Sequence, residues 1–115
     1  MKIIAKSKGM AKTDLYKLMS PAEYTNMRDK VGEILKIKNF SVHEEPDNYN
    51  GTKKVLSIET EEGEIVVSAS RTLVMEFEKL IAIFGVNGVT EIVIIESTTG
   101  AGNDVLSCRF TALEV

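Results

Sequence analysis

The chain has no tryptophan, one cysteine, one histidine and two prolines in 115 residues. Each scarcity removes a class of function. Cys108 alone cannot form an internal disulfide, which suits a reducing compartment. Cys108 and His43 together are too few for a zinc site built on Cys and His ligands. His43 reads as a surface or barrel-rim side chain, and no nucleophile-elbow pattern offers a serine to it. Gly100-Ala101-Gly102 lacks the third glycine of a dinucleotide fingerprint and runs into a strand instead of a helix. Asp47 to Gly51 begins like a calcium loop, but Tyr49 stands where a ligand is needed and Ile58 occupies the closing position. These absences argue against an enzyme, a metal or a cofactor. No apolar run approaches the ~20 residues of a bilayer span. The apolar start, Met1 to Ala5, is too short for a signal peptide. A cytoplasmic protein without membrane contact is therefore expected.

Charge is unevenly spread. Residues 1–40 carry nine Lys/Arg against four Asp/Glu, or +5, while residues 41–115 carry five against thirteen, or −8. The basic first third offers an anion a place to dock, or is a solvated arm whose lysines keep it soluble.

The order of apolar runs gives the fold. Strand-like segments over 31–45, 52–60 and 63–70 precede an amphipathic helix over 72–84, and strands over 89–97 and 104–113 follow. This β-β-β-α-β-β order predicts a mainly β fold with one helix between its third and fourth strands. It suits a five-stranded Greek-key barrel of the OB type, a class that holds single-stranded nucleic acid or sugar chains. The barrel occupies 31–115, and residues 1–30 form a partly helical lead-in. In the lead-in, Ser20-Pro21-Ala22-Glu23 reads as a capping box with proline at the first helical position, and 14–19 as another short turn. In the first strand the apolar phase slips by one residue at Lys38-Asn39, which predicts a β-bulge. Glu61-Glu62-Gly63 predicts a tight hairpin. Leu73, Phe77, Leu80, Ile81 and Phe84 fall on one helical stripe, with Ser70 or Thr72 as cap and Gly85 as stop. Ile92 to Ile95 reads as a strand covered on both faces, and Cys108 as a small buried group.

A single-strand binder needs cations for phosphates and flat side chains for bases. The outward faces of the first three strands offer Lys36, Lys38, Lys53, Ser57, Ser68, Ser70 and Arg71. Lys54 and Tyr49 stand at the overhanging hairpin, and Arg109 with the 98–103 loop faces them. Tyr49, aromatic at a polar loop tip, is the best stacking candidate. Phe40 points to the core or to the groove. Tyr16 and Tyr24 offer further stacking faces, but are expected rather to anchor helical turns on the barrel. Phe77, Phe84 and Phe110 are core.

Leu56-Ser57-Ile58-Glu59-Thr60 with Gly63-Glu64, then Ser68 to Thr72, then Phe77-Glu78-Lys79-Leu80-Ile81-Ala82-Ile83-Phe84-Gly85 resembles the single-stranded-DNA-binding proteins of phages of Gram-positive bacteria. Glu96-Ser97-Thr98-Thr99-Gly100-Ala101-Gly102 and Leu106-Ser107-Cys108 occupy the places of that family's later loop and last strand, and Leu15-Tyr16-Lys17 to Ser20-Pro21 is similar to its lead-in. The resemblance spans roughly residues 14–112. Thr99, Asn103 and Val105 depart from it, since the family's last hairpin carries a basic residue and then an aromatic. The resemblance implies sequence-independent coating of phage replication or recombination intermediates in the host cytoplasm. Phage or host replication proteins are further expected partners. Val115 ends the sequence without an acidic tail, so tail-mediated recruitment is not expected. The alternative is a phage-encoded interaction module that docks on a host or replisome protein through its acidic face or its apolar fourth strand. Oligomeric state is left open.

Overall fold

The computed structural model describes residues 2–47, 51–98, 100, 102 and 104–111. Its strands are β1 (Lys2–Lys6), β2 (Thr25–Asn26), β3 (Ile34–Asp47), β4 (Gly51–Thr60), β5 (Ile65–Ser68), β6 (Glu91–Thr98) and β7 (Asp104–Phe110). Two helices, α1 (Lys12–Met19) and α2 (Arg71–Phe84), and a 3-10 turn over Met27–Lys30 complete the chain.

The long strand β3 organises the rest. Its pairing with β4 passes from Ile37↔Thr60 to Asn39↔Glu59, so Lys38 is the extra residue of the expected bulge. Before the bulge, Ile34, Leu35 and Lys36 pair with β6. Beyond it, residues from Ser41 to Glu44 pair with β1. One edge of β3 thus changes partner, while the other holds β4 from Ile37 to Asp47. The bulge also restores the inward phase: Phe40 and Val42 are buried, which settles Phe40 as core. The hairpin after β4 turns at Gly63, where φ is +89°, and the Thr60 N–H donates to the Glu64 carbonyl at 2.8 Å.

The sheet order is β2-β5-β4-β3-β6-β7, with β1 added on β3. Val66 of β5 and Leu106 and Cys108 of β7 share one core, so the sheet curls until its two ends face a common interior. No pairing among the described residues joins β5 to β7, and the curl remains an open half-barrel. A local reason is the shortness of β5. The Ser68 hydroxyl accepts from the Ser70 N–H at 3.0 Å, which ends the strand and leads straight into α2. That helix packs on β7 and touches β4. Leu73, Val74, Phe77 and Leu80 are buried, and Ile81 and Phe84 half-buried. Phe77 meets Phe40 edge-on at 5.0 Å between centroids, and Phe84 stacks on Phe110 at 4.6 Å. Ser70 is the N-cap residue without a side-chain capping bond. Gly85 ends the helix, and Gly88 must be glycine, because a Cβ there would lie 1.9 Å from the Phe84 carbonyl oxygen.

The lead-in differs from its sequence reading. Ser20 does not start a helix; it ends α1, its N–H donating to the Tyr16 carbonyl at 2.8 Å. Pro21 disfavours a helical conformation at the residue before it, so α1 stops there and residues 21–24 carry no helix. β1 and β2 were not anticipated, and both pair with the main sheet. Leu18, 1 % exposed, seats α1 on β3 and β4. This layer covers an outer face expected to be open. Ser41, His43, Val55 and Ser57 are all buried there, so His43 is neither a surface nor a rim residue, while Ser68, paired with Leu56, is buried on the core face. In β6, Ile92 and Ile94 are buried while Val93 and Ile95 are half-buried, so one face is fully covered and the other partly. Val31, read as part of the first strand, makes only an isolated bridge to Ile94 and is 40 % exposed. No described helix is long and apolar enough to cross a membrane.

Candidate nucleic-acid interface

β4 starts exposed and becomes buried. Gly51 to Lys54 face solvent, and Val55 to Thr60 do not. The exposed start forms one wall of a groove of about 610 Å³ whose lining includes Glu44, Asp47, Lys53, Lys54, Arg71 and Met75. Its lining carries three cations and two carboxylates, and Glu78 beside Lys54 brings the local charge to balance within an acidic protein. The Lys54 Nζ donates to Glu78 Oε1 at 3.2 Å on α2. That pair is exposed enough to be worth only ~0–1 kcal/mol, and a phosphate can compete for the ammonium.

A second cleft of about 300 Å³ meets the first at Lys53 and Ala69 and lies on the other face of β4, that of Val55 and Ser57. Its wall includes Leu18, Pro21, Tyr24, Asn26, Val55, Ser57 and Val67. Tyr24 is 62 % exposed. It sits on extended chain beyond Pro21 and does not anchor a helical turn as expected. Sequence reasoning undervalued it; the usable signal was Pro21, which stops α1 and leaves the aromatic without a helical face. Tyr16 is also exposed, at 70 %.

The remaining candidates lie elsewhere. Lys36 lines a cleft of about 190 Å³ with Lys30, Glu33, Glu62, Glu64 and Glu91. There the Lys30 ammonium bonds Glu64 Oε1 at 2.9 Å, and the Thr25 hydroxyl donates to Glu64 Oε2 at 2.8 Å. These bonds, the lysine's first, hold the Glu64 carboxyl below the usual range, and the Lys30 ammonium is correspondingly raised. Lys38 lines a separate cleft of about 210 Å³ beside Ser7 and Asn87. Arg109 borders a cleft of about 550 Å³ between α2 and β7, with Glu76 and Ser107. Ser70 is half-buried at the start of α2. Lys53, Lys54 and Arg71 are therefore brought together, whereas Lys36, Lys38 and Arg109 occupy three other clefts. Strand geometry explains the division. Lys53 pairs with Glu45, nine residues along β3 from Lys36, a separation of up to ~30 Å at the rise of a strand. Tyr49 and residues 99, 101 and 103 of the last loop lie outside the described residues, as do residues 112–115.

Two other constellations have recognisable chemistry. On β3, Ser41 Oγ lies 3.2 Å from His43 Nδ1, and His43 Nε2 lies 3.1 Å from Glu45 Oε1. A ring with its proton on Nε2 donates to the carboxylate and accepts from the serine hydroxyl, which satisfies both nitrogens. Ser41 and His43 are 0 % exposed, so no substrate reaches the hydroxyl and the array serves packing. Burial, with the Glu76 charge second, pushes the Cys108 thiol up to about 12, which leaves it unreactive at neutral pH. Among the described residues no group of three or more His, Cys, Asp or Glu could hold a metal ion. No family model, curated protein or solved structure matches this chain.

Proposed function

We propose that the chain binds single-stranded DNA independently of overall sequence and coats replication or recombination intermediates of a phage. The observation that carries this reading is that the groove lined by Lys53, Lys54 and Arg71 adjoins, at Lys53 and Ala69, the cleft that holds the exposed ring of Tyr24. Cations neutralise phosphates, and an aromatic face stacks an unpaired base for ~1–3 kcal/mol. A duplex hides its bases and cannot use the ring. The proposal includes an OB-type reading of the curled sheet, in which β4 and β5 are the second and third barrel strands. In that fold class the wall is partly open and those two strands bear oligonucleotides. Tyr49 falls in sequence between Asp47 and Gly51 and is proposed as a second stacking group, because Asp47 and Thr52 both line the groove.

A net charge of −3 gives no long-range pull on DNA, so affinity rests on the local cations. For three phosphate contacts on a single strand, log K should fall with log salt at a slope of roughly −2. Fluorescence anisotropy with labelled oligo-dT, against duplex of equal length across a salt series, measures this. Lys53→Glu and Arg71→Glu should each weaken binding about tenfold or more, and Lys36→Gln and Arg109→Gln should change it little. Equal affinity for duplex, or binding indifferent to salt, would overturn the reading.

A protein-docking role is the second reading. It draws on Val31, just before β3, and Ile34 at its start, apolar and 40 % and 56 % exposed. Partners that persist in a pulldown after nuclease treatment would favour it.

A further inference from the structure

We infer that the cleft beneath Tyr24 is a subsite for one unstacked nucleobase, and that Ser57 reads the edge of that base; the inference rests on the single-strand reading above. Ser57 is 1 % exposed, and its hydroxyl is buried without a hydrogen-bond partner. It stands mid-strand in β4, opposite Ser41 on one side and Val67 on the other. An unpaired buried hydroxyl is unfavourable, and a β-branched apolar residue would suit such a strand position better. The hydroxyl therefore lacks a structural reason within the fold, and it lies on the wall of an available cavity.

The cleft's chemistry selects the occupant. Leu18, Val55 and Val67 give it apolar walls, Tyr24 supplies a flat face, and Asn26, Glu45, Ser57 and Ser68 give it hydrogen-bonding groups. Among the described residues Lys53 is the cleft's only cation, exposed and shared with the larger groove, and Glu45 opposes an anion beside it. A phosphate is poorly served there. A planar heterocycle with a polar edge is well served, while its backbone continues along Lys53, Lys54 and Arg71. Tyr24 and Lys53 are exposed side chains that change rotamer quickly, and a base displacing them gains access to the Ser57 hydroxyl. The protein then coats any single strand but holds some bases more tightly than others.

The test uses the full chain, oligomers of dT, dC and dA of equal length, an abasic oligomer with the same phosphates, and one fixed salt. The wild type should separate the three homopolymers by about two- to tenfold, the worth of one hydrogen bond. Ser57→Ala should collapse that spread, leave abasic binding unchanged and raise the melting temperature, because it removes the orphaned hydroxyl. Tyr24→Ala should weaken all three homopolymers and spare the abasic strand. A wild type that binds all four oligomers alike overturns the subsite while the single-strand reading stands. So does a Ser57→Ala variant that keeps the spread or melts lower. If the wild type binds none of the oligomers, the single-strand reading fails, and the subsite with it.

Discussion

Cys108 in β7 is 3 % exposed, with its sulfur 3.8 Å from the Leu73 carbonyl of α2. The unfolded thiol ionises near 9 and the folded one near 12. Between those values the unfolded chain gives up the proton first, so stability is full below pH 9 and is lost as pH rises towards 12. Urea unfolding across that range should show a falling curve, and Cys108→Ala should flatten it relative to wild type. At pH 8 an alkylating reagent should label Cys108 only as fast as the protein opens. Fast labelling of the native state would mean the helix–strand seam is looser than its packing indicates.

The bulge at Lys38 is a single-residue device that acts on a whole strand. Deleting Lys38 should leave Ile37 opposite Thr60, Asn39 opposite Glu59 and Phe40 opposite Ile58 in one continuous register, so Phe40 and Val42 stay inward. Each buried side chain of that kind is worth ~1.5–3 kcal/mol, and because neither is lost the deletion should melt within a few degrees of wild type, as a thermal melt followed by circular dichroism would show. A loss of several kcal/mol would mean the bend made by the bulge is itself needed for folding. The bulge was legible because Leu35 and Ile37 fall on odd positions and Phe40 and Val42 on even ones. The stripe of α2, the acidic hairpin at Gly63 and the burial of Cys108 were legible for the same kind of reason, since local periodicity follows from a local burial pattern. The burial of His43 and Ser57 was not legible. Whether the second face of β3 and β4 is open depends on a distant segment, the one that carries Leu18 onto it. Ser20-Pro21 misled because serine before proline marks a helix start or a helix stop equally well. The grouping of Lys53 with Arg71 needed the hairpin and the β5-to-α2 turn together, whereas the separation of Lys36 needed the full length of β3.

For the molecule as a whole, Glu64 fastens the lead-in to the sheet through Lys30 and Thr25. Its carboxyl is held below the usual range, so this contribution is complete above the ordinary carboxylate pKa and disappears as pH falls through the lowered value. Protection from hydrogen exchange over Thr25 to Lys30 should fall below the ordinary carboxylate pKa before the core strands respond. Glu64→Gln should show quick exchange at all pH values. Uniform protection of that segment down to global unfolding would overturn the assignment. The position of β3 between β1, β4 and β6 carries a consequence for synthesis. As the chain leaves the ribosome, β3 finds β1 already present and receives β4 next, so a three-stranded nucleus can assemble early. Its remaining edge residues, Ile34 to Lys36, wait for β6, almost sixty residues downstream. Until then Leu35 has no cover, and nascent chains arrested before β6 should be the ones that recruit chaperones.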